Sequence, residues 1–273
     1  MTKEWIDKWP NYCLKYDTLK KSVAFHFTAG MGGLGDFFKF FTYLLKICID
    51  NDIKMYYLNH RNPMDEFIKN SYSKMNMMII NIQNYNKIEN LDVITNIEND
   101  IIYIVEPYSM YGIVKYIDVP LHIDNLFYFS YDVLNNVSEI CLPKDYISIH
   151  LRLGDAYLEC DKKFVVCNND KREYNETKLF RFIEENSSKK ILFFCENVTY
   201  KRNLKEKYNN IYITEYDIGH TSLLNTSREQ YLNTITDFYL LTKSQYIYTA
   251  SNSGFSEIAS KFSNVPLIDL SSL

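Results

Sequence analysis

"ISIHLRLGDAYLEC", residues 147–160, starts as an apolar, β-branched run and ends in His150, Arg152 and Asp155. The run reads as a buried strand, because a strand covered on both faces is apolar throughout. Polar groups at its carboxyl end are either a solvated strand end or a binding site. His150 and Arg152 are two apart, so on an extended chain they point to the same face. Arg152 carries a rigid fork of donors suited to phosphate. Asp155 is placed to orient that fork or to accept a proton. The competing reading is a surface ion pair just beyond a strand.

Outward from this strand the pattern alternates. Towards the C-terminus come a helix at 175–187, a strand at 189–196, a helix at 198–208 and a strand at 210–216. A helix over 227–244 follows, opened by the capping box Ser227 and Gln230, then a strand at 245–250 and a helix from 253. Towards the N-terminus, "SVAFHFT" (22–28) runs into the glycine turn "AGMGGLGD" and then "FFKFFTYLLKICIDND". In that last stretch Lys39, Thr42, Lys46 and Asp50 fall three or four apart among apolar residues, which predicts a mostly buried helix with one thin wet stripe. Further strands are expected at 53–59, 77–82 and 100–106, irregular chain at 107–126 and a helix at 130–140. Strands alternating with helices imply parallel sheets covered on both faces. The expected fold is α/β with two Rossmann-like domains, residues 1–142 and 143–273, facing a cleft.

Ligands of such sheets bind beyond the carboxyl ends of strands. Three junctions occupy that position. The glycine turn lets backbone approach a ligand and aims free N–H groups from the next helix at it, or else it serves only packing. The second junction is the His150–Arg152–Asp155 segment. The third is "TASNSGFSEIA" (249–259), where Ser253 or Gly254 caps a helix and leaves N–H groups for an anion, or caps and does nothing more. All three are built for phosphate.

Composition narrows the classes. The 273-residue chain is 47% hydrophobic and 23% charged, a globular balance. A net charge of −4 without a basic face sets nucleic acid aside as a partner. No secretory signal is recognisable near the start, and the most apolar stretch, residues 37–49, is too short and too charged to span a bilayer. The chain is therefore expected to be cytoplasmic, with no transmembrane segment. Its cysteines show no metal-ligand spacing, so no metal site and reduced thiols are expected, with pairing of Cys160 and Cys167 across a loop as the alternative.

Taken together, the three junctions resemble the superfamily of fucosyltransferases that use GDP-fucose, which includes alpha-1,2-, alpha-1,6- and protein O-fucosyltransferases. "GGLGDFFKFFTYL" is similar to the G-G-L-G-N-Q-x-F-Q element of the alpha-1,2 family. "ISIHLRLGDAY" is similar to H-x-R-x-G-D or H-x-R-R-x-D-Y, and "DFYLLTKSQYIYTASNSGFSEIAS" to the D-x-x-L-M…N-S-S/T-F-S-W-W-A element. The elements occur in the family's order over residues 30–260.

The resemblance implies a glycosyltransferase B architecture and an inverting, metal-independent transferase. GDP-fucose would be the co-substrate, with no other cofactor. The acceptor would be a hydroxyl of a glycan or protein, on the side of the N-terminal domain. By motif position Arg152 would bind the donor β-phosphate. Arg152, Asp155 and Asp36 are the candidate catalytic residues, with His26 and Glu159 as weaker candidates for a base. Gly32, Gly33, Leu34, Gly35, His150, Glu196, Ser251, Asn252, Ser253, Gly254 and Phe255 complete the candidate donor site. Glu196 falls where relatives carry an acidic residue for guanine, whose N1–H and N2–H₂ edge suits a carboxylate. Asp36 in place of Asn, Leu153 in place of a second Arg, and "GFSE" in place of "TFSWW" depart from the family pattern and leave acceptor and linkage open. Two rival readings stand: a transferase using another nucleotide sugar, such as GDP-mannose or ADP-heptose, and a catalytically silent GDP-sugar-binding protein.

Overall fold

A computed structural model describes residues 4–58, 62–78, 82–157 and 170–273. They form two compact units, Met1–Tyr128 and Phe129–Leu273.

The first unit is built on a parallel sheet of β1 (Ser22–Phe25), β2 (Lys54–Tyr57), β4 (Asn86–Ile88) and β5 (Ile102–Val105), ordered β2-β1-β5-β4. Two short strands, β3 (Ile68–Asn70) and β6 (Phe127–Phe129), pair apart from it. An N-terminal helix, α1 (Glu4–Lys15), and the turn after it are tied down by buried tyrosines: Tyr12 of the helix donates to the Ile53 carbonyl (2.7 Å) and Tyr16 of the turn to that of Met55 (2.7 Å). Helix α2 (Leu34–Asp50) leaves the glycine turn with Gly33 as its N-cap. Its Phe37 and Phe41 pack with Phe25, Tyr57 and Phe127, ring centroids 5.0–6.3 Å apart.

The wet stripe expected on α2 is shorter than its spacing suggests. Lys46 and Asp50 reach solvent, but Lys39 and Thr42 are buried. The Thr42 hydroxyl returns to the Phe38 carbonyl (2.7 Å), which satisfies it inside the helix. Lys39 is covered by aromatic rings. The strand expected at 77–82 also moves: Met77 donates to the Tyr57 carbonyl (2.9 Å), residues 79–81 lie outside the described residues, and the strand that pairs with β5 is Asn86–Ile88.

The second unit carries a five-stranded parallel sheet: β7 (Ile147–Leu151), β8 (Ile191–Cys195), β9 (Ile211–Ile213), β10 (Ile247–Thr249) and β11 (Leu267–Asp269), ordered β11-β10-β7-β8-β9. The opening segment is thus the central strand, and β7 and β8 are buried along their whole length. Their apolar side chains pack with Leu179 and Ile183 of α4 (Glu176–Glu185) and Leu204 of α5 (Val198–Lys207). Helix α6 (Arg228–Thr242) opens with the capping box read from sequence: Ser227 Oγ accepts from Gln230 N–H (3.1 Å), and Gln230 Oε1 from Ser227 N–H (3.0 Å). Helix α7 (Gly254–Ser263) follows β10 directly.

The two units divide at Tyr128/Phe129 rather than at 142/143. The reason is α3 (Tyr131–Glu139), which packs on α6: Asn136 donates to Thr236 Oγ1 (3.0 Å), and Arg228 pairs with Asp132 (2.7 Å). No helix among the described residues is long and apolar enough to cross a membrane.

Candidate functional site

Arg152 is the first residue beyond β7, and the chain holds it at both ends. Its peptide is gripped by one hydroxyl: Ser251 Oγ accepts from Arg152 N–H (2.8 Å) and donates to Arg152 C=O (2.8 Å). Ser251 lies just past β10, which pairs with β7, so neighbouring strand ends are locked in register. The guanidinium is held by two carboxylates. Nη2 bonds Asp155 Oδ1, and Nη1 lies 3.6 Å from Glu196 Oε1. A guanidinium has five N–H donors, so this arrangement leaves donors for a phosphate. Asp155 thereby fixes the direction of the Arg152 side chain.

Glu196 is turned inward. Its side chain is 1% exposed, Oε1 accepts from Gly154 N–H (2.6 Å), and the Cys195 thiol lies 3.6 Å from Oε2. Burial pushes its carboxyl pKa up, while Arg152 and the backbone N–H groups pull the other way. This differs from the expected carboxylate edge open to guanine: both oxygens face the chain's own groups, and the side chain braces the Arg152 turn. Gly154 is the pivot of that turn. Its φ of +108° favours glycine, and a Cβ there would overlap the Asp170 carbonyl. Asp170 reinforces the turn through its carbonyl, which accepts from Ala156 N–H (3.1 Å), and Arg172 N–H donates to the Leu153 carbonyl (2.7 Å). Asp170 and Arg172 were not singled out by sequence; their side chains join in as well, Asp170 Oδ2 accepting from Asp155 N–H (3.4 Å) and Oδ1 pairing with Arg172 Nε (2.9 Å).

His150, the last but one residue of β7, is buried, and its ring lies 5.6 Å from that of Phe255. Burial first, and the Arg152 charge second, lower its pKa to about 3, so the imidazole is neutral at ordinary pH. Its Nδ1 is buried with no hydrogen-bond partner. Ser253 is the N-cap of α7, its Oγ accepting from Phe255 N–H (3.3 Å), and Asn252 beside it is exposed. Ser251, by contrast, has its hydroxyl engaged by the Arg152 peptide.

The glycine turn belongs to the first unit. Gly32 has φ +127°, and a Cβ on it would lie 2.8 Å from Asp36 Cβ and from the Tyr111 hydroxyl, so the turn backbone is wedged against both side chains. Asp36 Oδ2 accepts from Gly33 N–H (3.3 Å), while Oδ1 pairs with Lys39 (2.9 Å) and accepts from Tyr116 (3.3 Å). Leu34 is a core residue, 2% exposed, so its side chain is not offered to a ligand. Gly35 is likewise buried, whereas Gly33 and Asp36 are partly open. His26 is taken up by Glu106 (Nδ1 to Oε1, 2.9 Å). Lys39 is the functional candidate that sequence missed; its place in the expected wet stripe concealed it. Glu159, Cys160 and Cys167 lie outside the described residues. Among the described residues no group of three His, Cys, Asp or Glu side chains is arranged to hold a metal ion.

Against known proteins, no family model matches the chain and no curated protein matches it in sequence. Its fold does match solved structures. A mutant of Arabidopsis thaliana FUT1 in complex with GDP aligns with TM-score 0.53 at 11% identity, over 96% of this chain and 74% of that one. NodZ alpha-1,6-fucosyltransferase, known from Bradyrhizobium and co-crystallised with GDP, gives 0.57 at 11%, over 92% and 94%. POFUT1 in complex with GDP-fucose gives 0.52 at 10%, over 92% and 98%. The chain has the α/β fold of fucosyltransferases of glycosyltransferase B architecture. At this level of identity the likeness is one of fold.

Two expectations follow. Replacing Gly154 with Ala should displace the turn, because strain at such a φ costs on the order of 1–3 kcal/mol before the overlap with Asp170 is counted. A clear fall in melting temperature is expected, and an unchanged melt contradicts this reading of the turn. His150 supplies a pH signature. Its folded pKa lies below the unfolded value, so its contribution to stability is complete above about 6.5 and is lost as pH falls toward 3. From pH 7 to pH 5 this amounts to roughly 2 kcal/mol. Glu196, with its pKa raised, works in the opposite sense, since protonation relieves the cost of burying its charge. Urea unfolding should therefore show a smaller loss between these pH values for His150→Gln than for the parent chain; equal losses contradict the assignment.

Proposed function

We propose that this chain is an inverting, metal-independent glycosyltransferase that moves fucose from GDP-fucose to a hydroxyl of a glycan or protein. The observation that carries the reading is the immobilised Arg152: peptide clamped by Ser251, guanidinium held by Asp155 and Glu196, at the carboxyl end of the central strand of a parallel sheet. The shared fold of FUT1, NodZ and POFUT1 supports it, as does the order of the three sequence elements. Cytoplasmic placement is part of the same proposal.

Transfer of this kind passes through an oxocarbenium-like transition state. Negative charge gathers on the departing diphosphate as the glycosidic C–O bond breaks. A cation already in position stabilises that charge without reorganising, and this is how Arg152 would act. The N-terminal end of α7, beside Asn252, Ser253 and Gly254, would add its positive dipole end to the same anion. Ser251 and Glu196 act through Arg152 and not on the donor. Asp155 is committed to the guanidinium and acts through it.

A second reading keeps the chemistry and changes the nucleotide. The inward turn of Glu196 removes the carboxylate edge that would have marked guanine, and this favours including ADP- and UDP-sugars in any donor screen.

The test is donor turnover. GDP-fucose should be hydrolysed slowly to GDP and fucose, with or without chelator, and Arg152→Lys should lose about tenfold or more, because one ammonium cannot reproduce a held fork. Melting of the variant should change little if the loss is catalytic. Normal turnover in Arg152→Lys overturns the role given to Arg152. Hydrolysis of ADP- or UDP-sugars in preference to GDP-fucose selects the second reading. Nucleotide binding without any turnover leaves a binding protein.

A further inference from the structure

In the first unit the irregular segment 107–121 exposes rings. Tyr108 is 63% exposed and Tyr111 is 43% exposed, with their centroids 6.3 Å apart. The same segment exposes Ile113, Ile117 and Leu121, but the two tyrosines are its exposed rings, and they stand beside polar machinery. Tyr111 is fixed and not loose. Its hydroxyl donates to the Met31 carbonyl of the glycine turn (2.7 Å), and its ring meets Phe40 edge-on at 4.8 Å.

Behind the rings lies a charged pair. The Lys39 ammonium sits 4.4 Å from the Phe40 centroid, 4.5 Å from that of Tyr116 and 5.8 Å from that of Tyr111. It pairs with Asp36, whose side chain is 26% exposed. Ring faces and Asp36 thereby neutralise Lys39 and bury it, and the surface offers aromatic faces next to a partly open carboxylate with its orientation fixed by Lys39, Tyr116 and Gly33. A continuous chain of contacts runs from Tyr108 through Tyr111 and Lys39 to Asp36.

We propose that Tyr108 and Tyr111 form a stacking platform for an uncharged pyranoside, the acceptor sugar, whose hydroxyls Asp36 accepts from. A pyranose ring has an apolar C–H face and a rim of hydroxyl donors, and it complements this surface part by part: C–H face on ring, hydroxyl on carboxylate. A carboxylate at the rim disfavours acidic sugars. A hydrophobic peptide would satisfy the rings and strand the carboxylate. The inference rests on the transferase reading, since it gives the same reaction its acceptor class.

Saturation-transfer NMR on the whole chain tests it, with methyl β-D-galactoside, methyl β-D-N-acetylglucosaminide and methyl α-D-mannoside as probes and GDP titrated separately. At least one glycoside should bind through protons of one ring face. Tyr108→Ala should weaken that binding by about tenfold, in line with the loss of one aromatic stack, and Tyr108→Phe should restore it. The Tyr108 side chain is mostly exposed, so the fold should survive, which circular dichroism checks. Binding by none of the probes, or unweakened binding in Tyr108→Ala, overturns the platform. GDP binding without glycoside binding rejects the platform alone; glycoside binding without GDP binding rejects the donor reading and keeps the platform.

Discussion

One hydroxyl organises the candidate donor site. Ser251 Oγ both accepts from and donates to the peptide of Arg152, which welds the end of β10 to the end of β7. A hydrogen bond between uncharged groups contributes about 1 kcal/mol to stability, so this pair matters less as energy than as geometry. It removes the freedom that an exposed strand end would otherwise have. Arg152 then needs only its side chain fixed, and the two carboxylates do that.

Those carboxylates differ in kind. Asp155 lies three residues along the chain and has a small exposed fraction. Glu196 comes from the adjacent strand and is sealed from water. A buried carboxylate is costly unless paired and hydrogen-bonded, and the Gly154 N–H and the Arg152 charge offset part of that cost for Glu196. The coupling works both ways. Glu196 holds the Gly154 turn in its left-handed conformation, and the turn places Asp155. Gly154, Asp155, Glu196 and Arg152 therefore form one unit, and a change to any member is felt by the others. Neutral, buried His150 completes the surroundings by keeping a second positive charge away from the guanidinium.

Much of the architecture was legible in the residues. The apolar run 147–151, the capping box Ser227–Gln230 and the glycine turn before α2 each have a local cause, so each was read correctly from local pattern. The errors share a different cause. Lys39 and Thr42 look like a solvated stripe by spacing, yet rings distant in sequence cover one and the helix backbone satisfies the other. Glu196 reads as a ligand group by position, and only the structure shows that its direction is set by the Gly154 N–H, 42 residues away. Strand β4 has only Ile88 buried among Asn86, Lys87 and Ile88, so hydrophobic pattern could not announce it. Fold follows from local regularity; the side-chain directions that define a site follow from long-range contacts.

The most direct test of the central claim is a crystal structure of the chain with GDP bound. The β-phosphate is expected within hydrogen-bond distance, about 3 Å, of the Arg152 guanidinium, with the Ser251 clamp and the Glu196 contact unchanged. A diphosphate bound elsewhere, with no donor from Arg152 reaching it, would contradict the account.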